Sequence, residues 1–144
     1  MFSSDRQIVL VFNGEIYNYK YLRDTLIATG TLFRTNSDTE VILKLYEKFG
    51  TDSFSQLDGM FAFAIFDGDN YMLARDPVGI KPLYYGYKNE KLYFTSELGA
   101  MSFAGVDEVH EFPAGHYYTP TEGFVQYYKV PKIQDHLMTD IDKT

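Results

Sequence analysis

Met60-Phe61-Ala62-Phe63-Ala64-Ile65-Phe66, then Asp67-Gly68-Asp69-Asn70, then Tyr71-Met72-Leu73-Ala74: an apolar run, a turn and a second apolar run. This reads as an antiparallel hairpin, and its first strand does not alternate with polar residues, so it predicts burial on both faces. Ile8-Val9-Leu10-Val11-Phe12 is a second such run, which Asn13-Gly14 is expected to end abruptly. Downstream, Leu83 to Tyr87 with Leu92 to Phe94, and His116 to Tyr118 with Phe124 to Tyr128, read as two more hairpins. Helical spacing shows at Tyr19, Leu22, Leu26 and Ile27 before Gly30, followed by a short strand around Leu32-Phe33. Ser37-Asp38-Thr39-Glu40 is a capping box that opens a helix with Val41, Ile42, Leu45, Tyr46 and Phe49 on one face and Gly50 at its end. Thr51 to Leu57 suits one short helical turn. Early helices and later antiparallel strand pairs make an α+β domain, one sheet packed on another with helices outside.

Composition sets the outer bounds. The 144 residues suit one domain, and 45% apolar with 23% charged residues is a globular mixture. Twenty acidic residues against thirteen Lys and Arg give a net charge of −7, which leaves no electrostatic footprint for nucleic acid or for an anionic membrane surface. No apolar run approaches about 18 residues, and Met1 to Arg6 has no signal-peptide pattern, so the expected location is cytoplasmic. There is no cysteine, hence no disulfide, cysteine-bound metal or cysteine nucleophile among these residues.

The chemistry-bearing candidates each carry two readings. Asn13-Gly14 offers an amide side chain and a backbone N–H at adjacent positions, the donor pair an oxyanion hole needs, and it is equally the commonest tight-turn dipeptide. Asp38, at the first helical position behind the cap, suits the helix dipole and could hold an ammonium group. Arg75-Asp76 opens an irregular loop containing Pro77, Gly79, Lys81 and Pro82, where the two charges serve either substrate or an internal ion pair. Lys81 is either an anion contact or a solvated charge. His110, His116 and His136 lack metal-site spacing and read as surface or packing residues.

Taken in order, Phe12-Asn13-Gly14-Glu15-Ile16-Tyr17-Asn18-Tyr19, Leu22-Arg23, Ser37-Asp38-Thr39-Glu40, Leu57-Asp58-Gly59-Met60-Phe61-Ala62 and Arg75 to Tyr85 resemble the class II glutamine amidotransferase domain. Ser96-Glu97 and Phe112-Pro113-Ala114-Gly115-His116 fit the same pattern. Glu15-Ile16-Tyr17-Asn18 and Gly79-Ile80-Lys81-Pro82-Leu83-Tyr84-Tyr85 point to its glutamine-hydrolysing asparagine synthetase branch. The resemblance implies a four-layer αββα N-terminal-nucleophile hydrolase sandwich. It implies that the Asn13 side chain and the Gly14 N–H form the oxyanion hole. It implies that Glu15 and Asp38 help bind L-glutamine, Asp38 at the α-ammonium. Hydrolysis through a thioester would release ammonia to an ATP-activated aspartate in a synthetase domain, which would hold ATP and Mg2+. No cofactor is expected in this chain, and a homodimer is compatible with the family.

The departures shape the remaining expectations. The family's nucleophile is an N-terminal cysteine, and neither Met1 nor Phe2 replaces it. The family's opening strands, with an arginine for the glutamine carboxylate, have no counterpart, and Gly99 stands where relatives frequently carry lysine. Residues 1–130 are therefore expected to be a partial amidotransferase domain lacking its first strands. Residues 131–144, with an isolated helix-start signal at Thr139 and Asp142, are expected to be a linker toward an absent ATP-dependent domain. Such a piece should expose apolar edges, associate, and release no ammonia from glutamine by itself. Two alternatives are a non-catalytic glutamine-binding regulatory module and the glutaminase domain of another amidotransferase. A third is a Tyr-rich carbohydrate- or protein-binding face.

Overall fold

The computed structural model describes residues 1–131; the linker expectation for 131–144, the Thr139–Asp142 signal and His136 lie almost wholly outside the described residues. The chain order is β1 (Ile8–Ile16), α1 (Tyr19–Ala28), α2 (Asp38–Phe49), a 3-10 helix (Gly50–Gln56), β2 (Gly59–Asp67), β3 (Asn70–Arg75), β4 (Tyr84–Lys88), β5 (Lys91–Thr95), α3 (Leu98–Ala104), β6 (Val109–Glu111), β7 (His116–Thr119) and β8 (Gly123–Gln126). The strands form a five-stranded sheet, β1-β2-β3-β7-β8, and a three-stranded sheet, β5-β4-β6, with every pairing antiparallel.

Strand β2 organises the layers. Phe61, Phe63 and Ile65 enter one core with Leu22 and Leu26 of α1 and Val41, Ile42 and Leu45 of α2. Ala62 and Ala64, on the opposite face, enter a second core with Leu73, Leu83 and Phe112 between the two sheets. The run is apolar throughout, but side-chain size alternates: bulky rings fill the space under the helices, and methyl groups let the small sheet approach. The Tyr-rich hairpins supply this second core. Tyr85 packs on Phe112 and Phe124 at ring-centroid distances of 6.1 and 5.1 Å, and Tyr118 on Phe124 at 5.1 Å. On β4, Tyr85 faces that seam, so Gly86 faces the other way, where a Cβ would stand 2.6 Å from Val106 Cγ1. The α3 segment therefore covers the outer side of the small sheet and supplies the fourth layer.

Four local expectations are corrected. β1 does not end at Asn13-Gly14 but runs on to Ile16, paired with β2 down to Ile16 opposite Gly59. β1 is not buried on both faces: Val11 is 58% exposed, because β1 is an edge strand that the small sheet does not cover. Leu32-Phe33 is irregular; Phe33 lies beneath the Arg23 guanidinium at 4.9 Å. Helices are not confined to the first half, since α3 follows β5. Among the described residues no helix is long and apolar enough to cross a membrane.

Candidate active site

The site is built along the outer edge of β1. Gly14 stands opposite Phe61, whose N–H donates to Asp76 Oδ2 at 3.2 Å and whose carbonyl accepts from Asp76 N–H at 2.8 Å. Both main-chain groups of Phe61 are thus turned away from β1. In an antiparallel pair this makes Gly14–Phe61 a non-hydrogen-bonded position, so the Gly14 N–H points outward. The same parity sends the Leu10 N–H to the Met1 carbonyl at 2.8 Å and the Ile16 N–H to Asp38 Oδ2 at 3.1 Å. Gly14 has φ +151° and no room for a side chain: a Cβ would collide with the Met60 carbonyl oxygen and lie 2.7 Å from Phe61 Cα.

Asn13 and Glu15 project from one exposed face of the strand. Asn13 Nδ2 donates to Ser96 Oγ at 3.4 Å, across a cleft of about 220 Å³ floored by Ala62 and Ala64 and walled by Val11, Leu83 and Phe94. Ser96 connects β5 to α3, so the two sheets meet at this contact. Asp38 is the first residue of α2, and Ser37 Oγ caps the helix by accepting the Glu40 N–H at 3.2 Å. Besides the Ile16 bond, Asp38 accepts the Thr39 N–H through Oδ1 at 2.8 Å. Its carboxylate is therefore fixed on the edge that carries the Gly14 N–H. The structure gathers Asn13, Gly14 and Asp38 around one strand end; Glu15 is exposed beside them and makes no side-chain hydrogen bond among the described residues.

Glu40 serves a different purpose from the reciprocal half of a capping box. It is fully buried, and its carboxylate accepts the Arg34 N–H at 2.9 Å, the Thr35 N–H at 2.6 Å and the Thr35 hydroxyl at 2.6 Å. Burial pushes this carboxyl up, but those three donors outweigh it and hold it below its ordinary value. Glu40 thereby folds the 34–37 loop under α2 and sets where Asp38 starts. A group lowered in the folded state adds stability that is complete above its unfolded range and is lost as pH falls through the folded value. Glu40→Gln is expected to destabilise the protein by roughly 2–3 kcal/mol at neutral pH, and the gap to wild type should close as pH falls through and below the ordinary carboxylate range. Urea unfolding of both proteins across that range checks it.

Arg75 and Asp76 do not form the expected ion pair with each other. Adjacent strand residues point to opposite sides, and each finds separate partners. Arg75, 4% exposed, donates to the carbonyls of Gly79 (2.8 Å), Lys81 (2.7 Å) and Phe112 (2.6 Å) and pairs with Glu111 at 2.7 Å. Asp76, fully buried, accepts the N–H groups of Phe61, Val78, Ile80 and Lys81 at 2.9–3.2 Å. Tyr127 donates its hydroxyl to the Arg75 carbonyl at 2.6 Å, and burial, then the Asp76 charge, pushes this phenol well above its ordinary value. These residues hold the loop between the sheets. Ser96 is the site residue that sequence reasoning quoted without a role; only the pairing of β4 with β5 brings it across from Asn13.

The edge of β1 thus brings together an outward N–H, an amide side chain and a fixed carboxylate. Residues 1–133 match the family model described as glutamine amidotransferase domain, and the chain belongs to that family. A probable glutamine-hydrolysing asparagine synthetase of Dictyostelium discoideum is 43% identical over 137 residues, covering 90% of this chain and 24% of that protein. A glutamine-hydrolysing asparagine synthetase of Bacillus subtilis is 48% identical over 105 residues, covering 72% of this chain and 17% of that protein. The chain thus spans about a quarter or less of the length of these relatives. Among solved structures, the glutamine phosphoribosylpyrophosphate amidotransferase of B. subtilis superposes with a TM-score of 0.75 at 29% identity, over 87% of this chain and 30% of that one.

Proposed function

We propose that this chain is the glutamine-binding, carbonyl-polarising part of a glutaminase centre in an asparagine synthetase. The observation that carries the reading is the spacing along the edge of β1. The Gly14 N–H and the Asp38-bound Ile16 N–H point the same way two residues apart, roughly 7 Å by strand geometry. An extended glutamine spans a similar distance, roughly 5–6 Å, from carboxamide oxygen to α-ammonium. One end of the substrate then meets the Gly14 N–H and the second Nδ2 hydrogen of Asn13, whose first is directed at Ser96. The other end meets the Asp38 carboxylate, with Glu15 beside it.

When a nucleophile adds to the carboxamide carbon, the oxygen takes up negative charge, and these two donors are placed to stabilise it. Collapse of the adduct expels ammonia and leaves an acyl-enzyme that water hydrolyses to glutamate. The family's nucleophile is a cysteine, and these 144 residues contain none. In this reading ATP and Mg2+ serve the synthetase part that follows residues 131–144, aspartate is the acceptor, the protein is cytoplasmic, and a homodimer is compatible with it.

Titration of the 144-residue chain with L-glutamine in a calorimeter tests the reading. Saturable binding is expected, weakened at least about tenfold by Asn13→Ala and by Asp38→Asn, which removes the charge but keeps an acceptor for the Ile16 N–H. No ammonia should be released. A well-folded chain that gives no heat, or variants that bind as wild type does, would refute the reading.

A further inference from the structure

A second concave site lies on the helical side of the molecule. Tyr19, Lys20, Arg23, Asp24 and Asn36 line a cleft of about 230 Å³ between the start of α1 and the loop before α2. Lys20 and Arg23 are three residues apart on α1 and so share a helix face. Among the described residues, the side chains of Tyr19, Lys20, Arg23 and Asn36 make neither a hydrogen bond nor an ion pair, although each carries at least one donor. Most of the chain's other buried polar side chains are tightly satisfied, Glu40, Arg75 and Asp76 among them. The Arg23 Nε–H differs. It is the single buried side-chain nitrogen or oxygen among the described residues without a hydrogen-bond partner.

A guanidinium whose Nε–H is closed off from water without an acceptor is poorly solvated, so an anion on its accessible Nη groups is held more strongly than on a fully solvated arginine. The Arg23 guanidinium carbon lies 4.9 Å from the centre of the Phe33 ring, and Arg23 lines the cleft. Two cations, an amide and a phenol thus converge on one concavity of a protein whose net charge is −7, with Asp24 as the only acid lining it. We propose that this cleft is a binding site for a small oxyanion, a carboxylate or phosphate group, held by the Arg23 Nη groups and Lys20 Nζ, with Asn36 Nδ2 as a third donor. Its occupant would brace α1 against the loop whose following residues cap α2 and place Asp38. The inference stands independently of the glutamine reading, because it uses none of the residues that face β1's open edge.

Titrating the protein with inorganic phosphate and, separately, with malonate, while following the Arg23 Nε–H and Asn36 side-chain amide resonances, tests it. Chloride at matched ionic strength serves as control. A saturable shift of both signals with at least one of the two anions is expected, and which anion binds assigns the ligand class. Lys20→Gln should weaken binding at least about tenfold. Asn36→Asp, at an exposed position that leaves the packing intact, should do the same by repulsion with an unchanged melting temperature. The proposal is overturned if both signals follow chloride as they follow the anions, if they do not move, or if Asn36→Asp binds as wild type does.

Discussion

Asp76→Ala is expected to remove much of this protein's stability at room temperature. Four backbone N–H groups, from Phe61, Val78, Ile80 and Lys81, converge on one fully buried carboxylate. Hydrogen bonds to a charged acceptor contribute about 1.5–3 kcal/mol each, and donors left unpaired in a closed loop cannot turn to water. Even if the loop opens enough to hydrate half of them, the loss is about 3–6 kcal/mol, against a total stability of roughly 5–15 kcal/mol for a domain of this size. The Phe61 N–H matters most for function. It lies opposite Gly14, so losing its partner loosens β2 at the point that backs the Gly14 N–H. Urea unfolding by circular dichroism checks the stability loss. Asp76→Asn, which keeps one acceptor oxygen, should retain more stability than alanine does, and equal stability of wild type and Asp76→Ala would refute this account of the loop.

Gly14→Ala is expected to cost at least about 3 kcal/mol and to abolish glutamine binding. Two effects add. A φ of +151° suits only glycine, and the new methyl would collide with the Met60 carbonyl of the neighbouring strand. Relief requires β1 to move away from β2, which takes the N–H out of the site. Gly59→Ala is the informative comparison. Its Cβ would collide with the Glu15 carbonyl, so the two strands approach closely from both sides, and a similar stability loss is expected there. Gly30→Ala has nothing within 4 Å of the added carbon and should cost far less, though its φ of +89° still carries strain. Thermal melts of the three variants rank them; a Gly14→Ala protein as stable as Gly30→Ala would overturn the close-approach explanation.

These two positions also show what the chain reveals on its face. The Ser37 cap, α2 and the Met60–Phe66 strand are legible because local spacing and burial agree there. Asn13-Gly14 is misleading, since its turn propensity is local while nine residue pairs with β2, Gly59 among them, carry β1 straight through it. Val11 is apolar and exposed because burial of its face depends on where the other sheet stops, which no window of residues encodes. Helix α3 has seven residues, no side-chain N-cap bond and a glycine at its second position, so tertiary packing of Met101 rather than propensity sustains it. Arg75 closes β3 and Asp76 is the first residue beyond it, and their separate fates are set by the loop and by Glu111 and Phe112, far along the chain. Asp38 and Gly14 stand out in the sequence as a helix-start carboxylate and a turn glycine, but the Ile16 hydrogen bond that puts them on one edge joins residues 22 positions apart.

The alanines of β2 couple two properties that are usually separate. Ala62 and Ala64 set how closely the small sheet settles on the large one, and the same two methyl groups form the floor beneath Asn13. The shape of this cleft therefore cannot change at these positions independently of the fold. Any bulkier residue at position 62 or 64 that would narrow the cleft must also wedge the sandwich apart.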